Sequence, residues 1–62
     1  MPIVTLEISK GRTREQKKQL VEGITDLIVT TLNVPPDWVT ILIHEMDRDS
    51  IGKAGKLLSE DD

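Results

Sequence analysis

The 62-residue chain sets eight Lys and Arg against eleven Asp and Glu, for a formal net charge of −3, and holds one His, one Trp and no Cys. That composition excludes disulfides and thiolate metal sites, and a lone histidine leaves too few ligands for a structural zinc. Basic residues scattered along the sequence among acids, with a single aromatic, exclude the charged footprint and stacking platform of a nucleic-acid binder. No apolar run reaches the length of a membrane span and the first residues lack the layout of a signal peptide, so a soluble cytoplasmic protein is expected. The length allows one domain, residues 1–62.

Residues 2–8 alternate, with Val4, Leu6 and Ile8 on one side and Thr5 and Glu7 on the other, which predicts a strand. Residues 9–12 read as a loop. Thr13 and Gln16 are spaced as a capping box, each side chain able to satisfy the other's backbone N–H. A helix over residues 13–32 follows, with Leu20, Ile24, Leu27, Thr31 and Leu32, flanked by Val21 and Ile28, at helical spacing. Asn33 and the Pro35-Pro36 pair end it, because proline lacks the next N–H and restrains the residue before it. Residues 39–46 form a second strand, with Thr40, Leu42, His44 and Met46 opposite Val39, Ile41 and Ile43. Its middle is apolar on both sides, as in a strand covered on both faces. Residues 47–50 are turn-like, residues 51–56 predict a small hairpin or an irregular arm, and residues 59–62 are expected to fray.

The fold class is α/β: a β-α-β unit with a parallel two-stranded core joined by a right-handed crossover. One helix covers one sheet face, and two strands alone are rarely stable in water. A chain of about 60 residues also buries only about 60% of its unfolded surface. Self-association is the remedy left to it.

Pro2 is the first chemical candidate. A small second residue permits removal of Met1, which leaves a secondary amine at the terminus. An α-amino group titrates at about 7.7–8.0, and an apolar pocket or nearby cation lowers that value toward the range suited to abstracting a proton beside a carbonyl. By position alone Pro2 also reads as a strand start, where its missing N–H does no harm. Arg12, in the loop before the helix, has the fork geometry for a carboxylate, assisted by the helix dipole, or is a solvated surface residue. His44 reads as a structural histidine, Arg48 as an exposed turn residue, and Trp38 as a packing or interface residue.

Pro2-Ile3-Val4, Gly11-Arg12-Thr13 with Glu15-Gln16-Lys17, Ile43-His44-Glu45-Met46 and residues 51–57 together resemble 4-oxalocrotonate tautomerase, in order and without a gap over residues 2–58. The resemblance implies a homohexamer built as a trimer of dimers, with a short C-terminal hairpin on each β-α-β protomer. It implies proton transfer by the amino-terminal proline on an enol or dienol carboxylate, with no cofactor and no metal. It also implies that Arg12, from a neighbouring subunit, engages the substrate carboxylate.

Two departures bear on the substrate. Family members that isomerise 2-hydroxymuconate have an arginine where this chain has Thr40, and a pocket aromatic where it has Ile51. Loss of that cation costs several kcal/mol on the scale of an oxyanion donor, so a smaller or monocarboxylate enol, such as an aryl enolpyruvate, is as good a candidate as the dicarboxylate. Arg48, Lys53 and His44 stand as candidates to replace the missing cation. Two rival readings are a hydratase, dehalogenase or decarboxylase on the same scaffold, with Glu45 as its water-activating acid, and a non-catalytic oligomeric homologue.

Overall fold

The computed structural model describes residues 1–61. Strand β1 (Ile3–Ser9) leads into helix α1 (Arg14–Leu32), a 3-10 turn at Pro36–Trp38 and strand β2 (Thr40–Met46). A second 3-10 turn (Arg48–Ser50) precedes the two-residue strands β3 (Gly52–Lys53) and β4 (Lys56–Leu57), and a last turn spans Leu58–Asp61. β1 and β2 pair in parallel, with Ile3 opposite Thr40 and Ser9 opposite Met46. β3 and β4 form the antiparallel hairpin, which decides between the two forms expected for that segment.

Helix α1 starts where the capping box places it. The Thr13 hydroxyl accepts from the Gln16 N–H at 3.0 Å, and the Gln16 side chain accepts from the Thr13 N–H at 2.9 Å. Asn33 ends it in the left-handed region, at φ 56°, a conformation asparagine tolerates at a helix C-terminus. The second strand begins one residue later than expected, because residues 36–38 wind into a turn closed by Trp38 N–H to the Pro35 carbonyl and Val39 N–H to the Pro36 carbonyl, both at 3.1 Å.

Partners in a parallel ladder point to the same face. Val4, Leu6, Ile8, Ile41 and Ile43 therefore lie half-buried beneath α1, while Ile3, Thr5, Leu42 and His44 line the open face. Leu42 is 44% exposed and Ile3 61% exposed, so the protomer leaves uncovered the second face that the sequence marks for burial. The helix corrects the sequence reading. Ile24, Thr25, Ile28 and Val29 are half-buried, but Leu20, Leu27 and Leu32, named with Ile24 at helical spacing, remain exposed. Two strands about 4.8 Å apart are too narrow to cover both apolar stripes of one helix. Leu27 remains 67% exposed.

No described residue is fully buried, and the accessible surface is 4892 Å², against about 4,000 Å² for a compact monomer of this mass. The radius of gyration, 14.8 Å, likewise exceeds the roughly 11 Å of a compact chain this long.

The end of the chain is more ordered than its composition suggests. The Arg48 guanidinium donates to the Leu58 carbonyl at 2.9 Å, and the Glu60 carboxylate accepts from the Leu57 N–H at 2.7 Å. Residues 59–61, expected to fray, lie in the turn Leu58–Asp61, and residue 62 of the same expectation lies outside the described residues. At the hairpin tip Ala54 and Gly55 both have positive φ, 53° and 81°, the pair of conformations a two-residue type I′ turn requires.

Candidate active site

Pro2 stands just ahead of β1. Its carbonyl accepts from the Thr40 N–H at 3.1 Å, which extends the parallel ladder by one bond and ties Pro2 to the start of β2. Its nitrogen lies outside that ladder and forms the peptide bond to Met1, which is 84% exposed. Thr40 is half-buried beside it. Met1, Asp37 and Trp38 line a shallow depression at this same end of the sheet, and Met1, one of its walls, is the residue bonded to the Pro2 nitrogen.

Arg12 and Ile51 belong to the other end. Seven residues of β1 separate Pro2 from the loop carrying Arg12, a rise of about 23 Å. Gly11, at φ +116°, turns that loop in a conformation open in practice only to glycine. The Arg12 side chain is exposed and shares a groove with Ile8, Gln16, Gln19 and Leu20 at the start of α1. Ile51 is half-buried and extended, and its carbonyl accepts from the Leu58 N–H at 2.9 Å. A single protomer brings Pro2 together with Thr40, and does not bring either to Arg12.

The three groups considered as replacement cations are placed as follows. Arg48 holds the Leu58 carbonyl. His44 lies on the open sheet face, 3.8 Å from the Glu7 carboxylate. Lys53 stands opposite Lys56 in the hairpin, beyond the carboxyl end of the sheet. Glu45, the acid weighed for water activation, faces α1 and forms an ion pair with Lys17, near the carboxyl end of the strands and away from Pro2. Among the described residues no three His, Asp or Glu side chains converge to hold a metal, and no helix is long and apolar enough to cross a membrane.

The basic residues, read above as scattered, are confined to two segments that the fold brings to one end. All eight Lys and Arg fall within residues 10–18 or 48–56, in the loops, the first turns of α1 and the hairpin at the carboxyl end of the strands. No basic residue lies between Lys18 and His44. Among the described residues, the amino end of the sheet therefore has Asp37, the carboxyl-terminal end of α1 with no basic residue in its last turn, and no Lys, Arg or His side chain. The negative pole of the helix dipole adds to that imbalance. Asp37 and Trp38 were not singled out for the site from the sequence; the signal was their place two or three residues before Thr40, legible only once the register of β1 and β2 is known.

Comparison with known proteins gives a consistent result. The family model described as tautomerase enzyme matches residues 2–61. The chain is 40% identical to a probable tautomerase of Halalkalibacterium halodurans over 60 residues, covering 97% of this chain and 98% of the relative. It is also 40% identical, over 97% of each chain, to the 2-hydroxymuconate tautomerase of Bacillus subtilis. Among solved structures it is similar to a 4-oxalocrotonate tautomerase isozyme of Methylibium petroleiphilum, with a TM-score of 0.92 and 40% identity, covering 97% of this chain and 94% of that one.

Proposed function

The chain belongs to the tautomerase family, and from that premise we propose that it is a cofactor-free keto–enol tautomerase of a small 2-oxo or 2-hydroxy-enoic acid, with Pro2 as the proton-transfer residue once Met1 is removed. The whole chain, residues 1–62, acts as one domain of a cytoplasmic homohexamer, a trimer of dimers. The Pro2 nitrogen takes the proton of the enol hydroxyl, the electron pair closes the 2-carbonyl, and the resulting ammonium returns the proton to carbon. No atom is gained or lost. The secondary amine suits both halves, since its ordinary titration range lies near neutrality.

The observation that carries this reading is the setting of Pro2. Its carbonyl is pinned by the Thr40 N–H at 3.1 Å while its nitrogen stays outside the ladder, so the ring is held at the strand's end with its nitrogen free of any structural duty. The separation of Pro2 from Arg12 within a protomer supports a site shared between subunits. The carboxyl end of one chain then supplies Arg12 to the carboxylate of a substrate at the amino end of another, in two parallel charge-assisted hydrogen bonds. Thr40 and Ile51 line the pocket, and the Thr40 hydroxyl offers a neutral hydrogen bond to the 2-oxo group.

The test is steady-state kinetics on enol acids with protein whose mass shows Met1 removed. Pro2→Ala is expected to lower kcat at least about 10²-fold, the lower bound for losing a positioned acid–base group. Arg12→Ala is expected to raise KM about 10- to 100-fold, the range for one charge-assisted contact. Wild-type rates in both variants would overturn the proposal.

A further inference from the structure

We infer, resting on Pro2 as the base, that Asp37 and Trp38 of the same subunit select the substrate: the Trp38 indole carries an uncharged, planar arm of a 2-oxo acid that bears one carboxylate, and the Asp37 carboxylate excludes a second.

Both residues line a depression with Met1, the residue whose removal frees the Pro2 amine, so that Asp37 and Trp38 are left as the walls beside it. They are held there by rigid backbone. Pro35 and Pro36 have restrained φ angles, and the turn they begin is closed by two hydrogen bonds of 3.1 Å. Two residues on, the Thr40 N–H fixes the Pro2 carbonyl. Trp38 is 52% exposed in the protomer, so its indole does not fill the protomer's core. The chain has no Phe or Tyr, and Ile51 offers nothing to stack on.

Charge points the same way. A dicarboxylate needs a cation at each end. Within the protomer, the absence of any Lys, Arg or His between Lys18 and His44 leaves the amino end of the sheet no side-chain cation, and Asp37 places one carboxylate in the depression itself. A substrate carboxylate entering there meets like charge and a hydrocarbon surface, and is disfavoured twice. An uncharged aryl or conjugated arm meets an aromatic platform. The single carboxylate is left to the Arg12-bearing end of a neighbouring chain.

The experiment uses the assembled protein with Met1 removed and two substrates, phenylenolpyruvate and 2-hydroxymuconate. Trp38→Ala is expected to lower kcat/KM for the aryl substrate about five- to tenfold more than for the dicarboxylate. Asp37→Asn is expected to raise kcat/KM for the dicarboxylate about five- to tenfold relative to the aryl substrate. Trp38→Phe, which keeps a ring, is expected to restore most of the preference and guards against a folding defect. Equal changes on both substrates in all three variants overturn the inference.

Because Trp38 is the sole tryptophan, its fluorescence gives a readout that does not need turnover. Phenylglyoxylate, which cannot enolise, is expected to quench it saturably, and cis,cis-muconate is not. If the wild type turns over neither substrate, the Pro2 reading fails, and this titration still decides the Trp38 inference. Absence of quenching by phenylglyoxylate overturns it. So does an indole already shielded from acrylamide in the ligand-free assembly, which would make Trp38 a subunit contact.

Discussion

Substituting Thr40 by Arg places a guanidinium beside the residue that anchors Pro2, at a position whose backbone N–H lies 3.1 Å from the Pro2 carbonyl. A cation there disfavours the ammonium form of the amine. At roughly 7 Å and an effective dielectric between about 20 and 60, the repulsion is about 0.8–2.4 kcal/mol. Pro2 and Thr40 are both only half-buried, so screening favours the lower half of that range. The sign follows directly: the amine's titration moves down, the free base persists at lower pH, and the ascending limb of kcat/KM against pH moves toward acid. The expected displacement is about 0.6–1.2 pH units. The same cation can engage the developing 2-oxo oxyanion or a second carboxylate, so kcat/KM for 2-hydroxymuconate is expected to rise at least about tenfold, within the range of one oxyanion donor. The assay is a pH–rate profile of Thr40→Arg and wild type on the dicarboxylate and on phenylenolpyruvate. An ascending limb that does not move, with no gain on the dicarboxylate, would refute the placement of Thr40 beside the reacting amine.

Two further predictions concern the scaffold that positions the site. A Cβ at Gly11 would meet nothing within 4 Å, but φ is +116°, so Gly11→Ala acts through backbone strain alone; a loss of about 1–3 kcal/mol is expected by thermal or denaturant unfolding, together with a raised KM from the displaced Arg12 loop. Unchanged stability and KM would show that the loop relaxes freely. Leu27, two-thirds exposed on the outer stripe of α1, is expected to be covered in the assembly; Leu27→Glu should reduce the mass measured by sedimentation or light scattering, and an unaltered mass would show that the stripe takes no part in association.

Much of this architecture was legible because local signals and long-range requirements agree. The alternation at Val4, Leu6 and Ile8, the Thr13–Gln16 box, and the proline pair that ends the helix each fix an element through its own backbone needs. The parallel pairing then follows from a helix of about 28 Å returning the chain to the start of the first strand. The exposure of Leu20 and Leu27 was not legible, because helical spacing marks apolar stripes without saying which one a given sheet covers. The hairpin stood as one of two forms, since Ala54 is an unusual choice for a left-handed position and weakened the turn signal. The order of residues 59–61 escaped notice because it depends on Arg48 and Glu60 meeting backbone across the turn.

The candidate site shows the same division. Pro2, Arg12, Thr40 and Ile51 were all marked from the sequence with its family resemblance. Their division between opposite ends of the protomer required the register of β1 and β2. The segregation of every Lys and Arg to one end is likewise a property of the crossover: residues 10–18 and 48–56, far apart in the chain, meet only because both strands run the same way.

The central claim is that proton transfer belongs to the free Pro2 amine, and the most direct test leaves every side chain in place. The same chain is prepared with Met1 removed and with Met1 retained, each verified by intact mass and by matching circular dichroism, and turnover of an enol acid is compared. Retention of Met1 converts the Pro2 nitrogen to an amide with no useful basicity. The expected result is a rate that scales with the processed fraction and falls at least about 10²-fold when Met1 is present on every chain. Equal rates in the two preparations would contradict the assignment and move the chemistry away from Pro2.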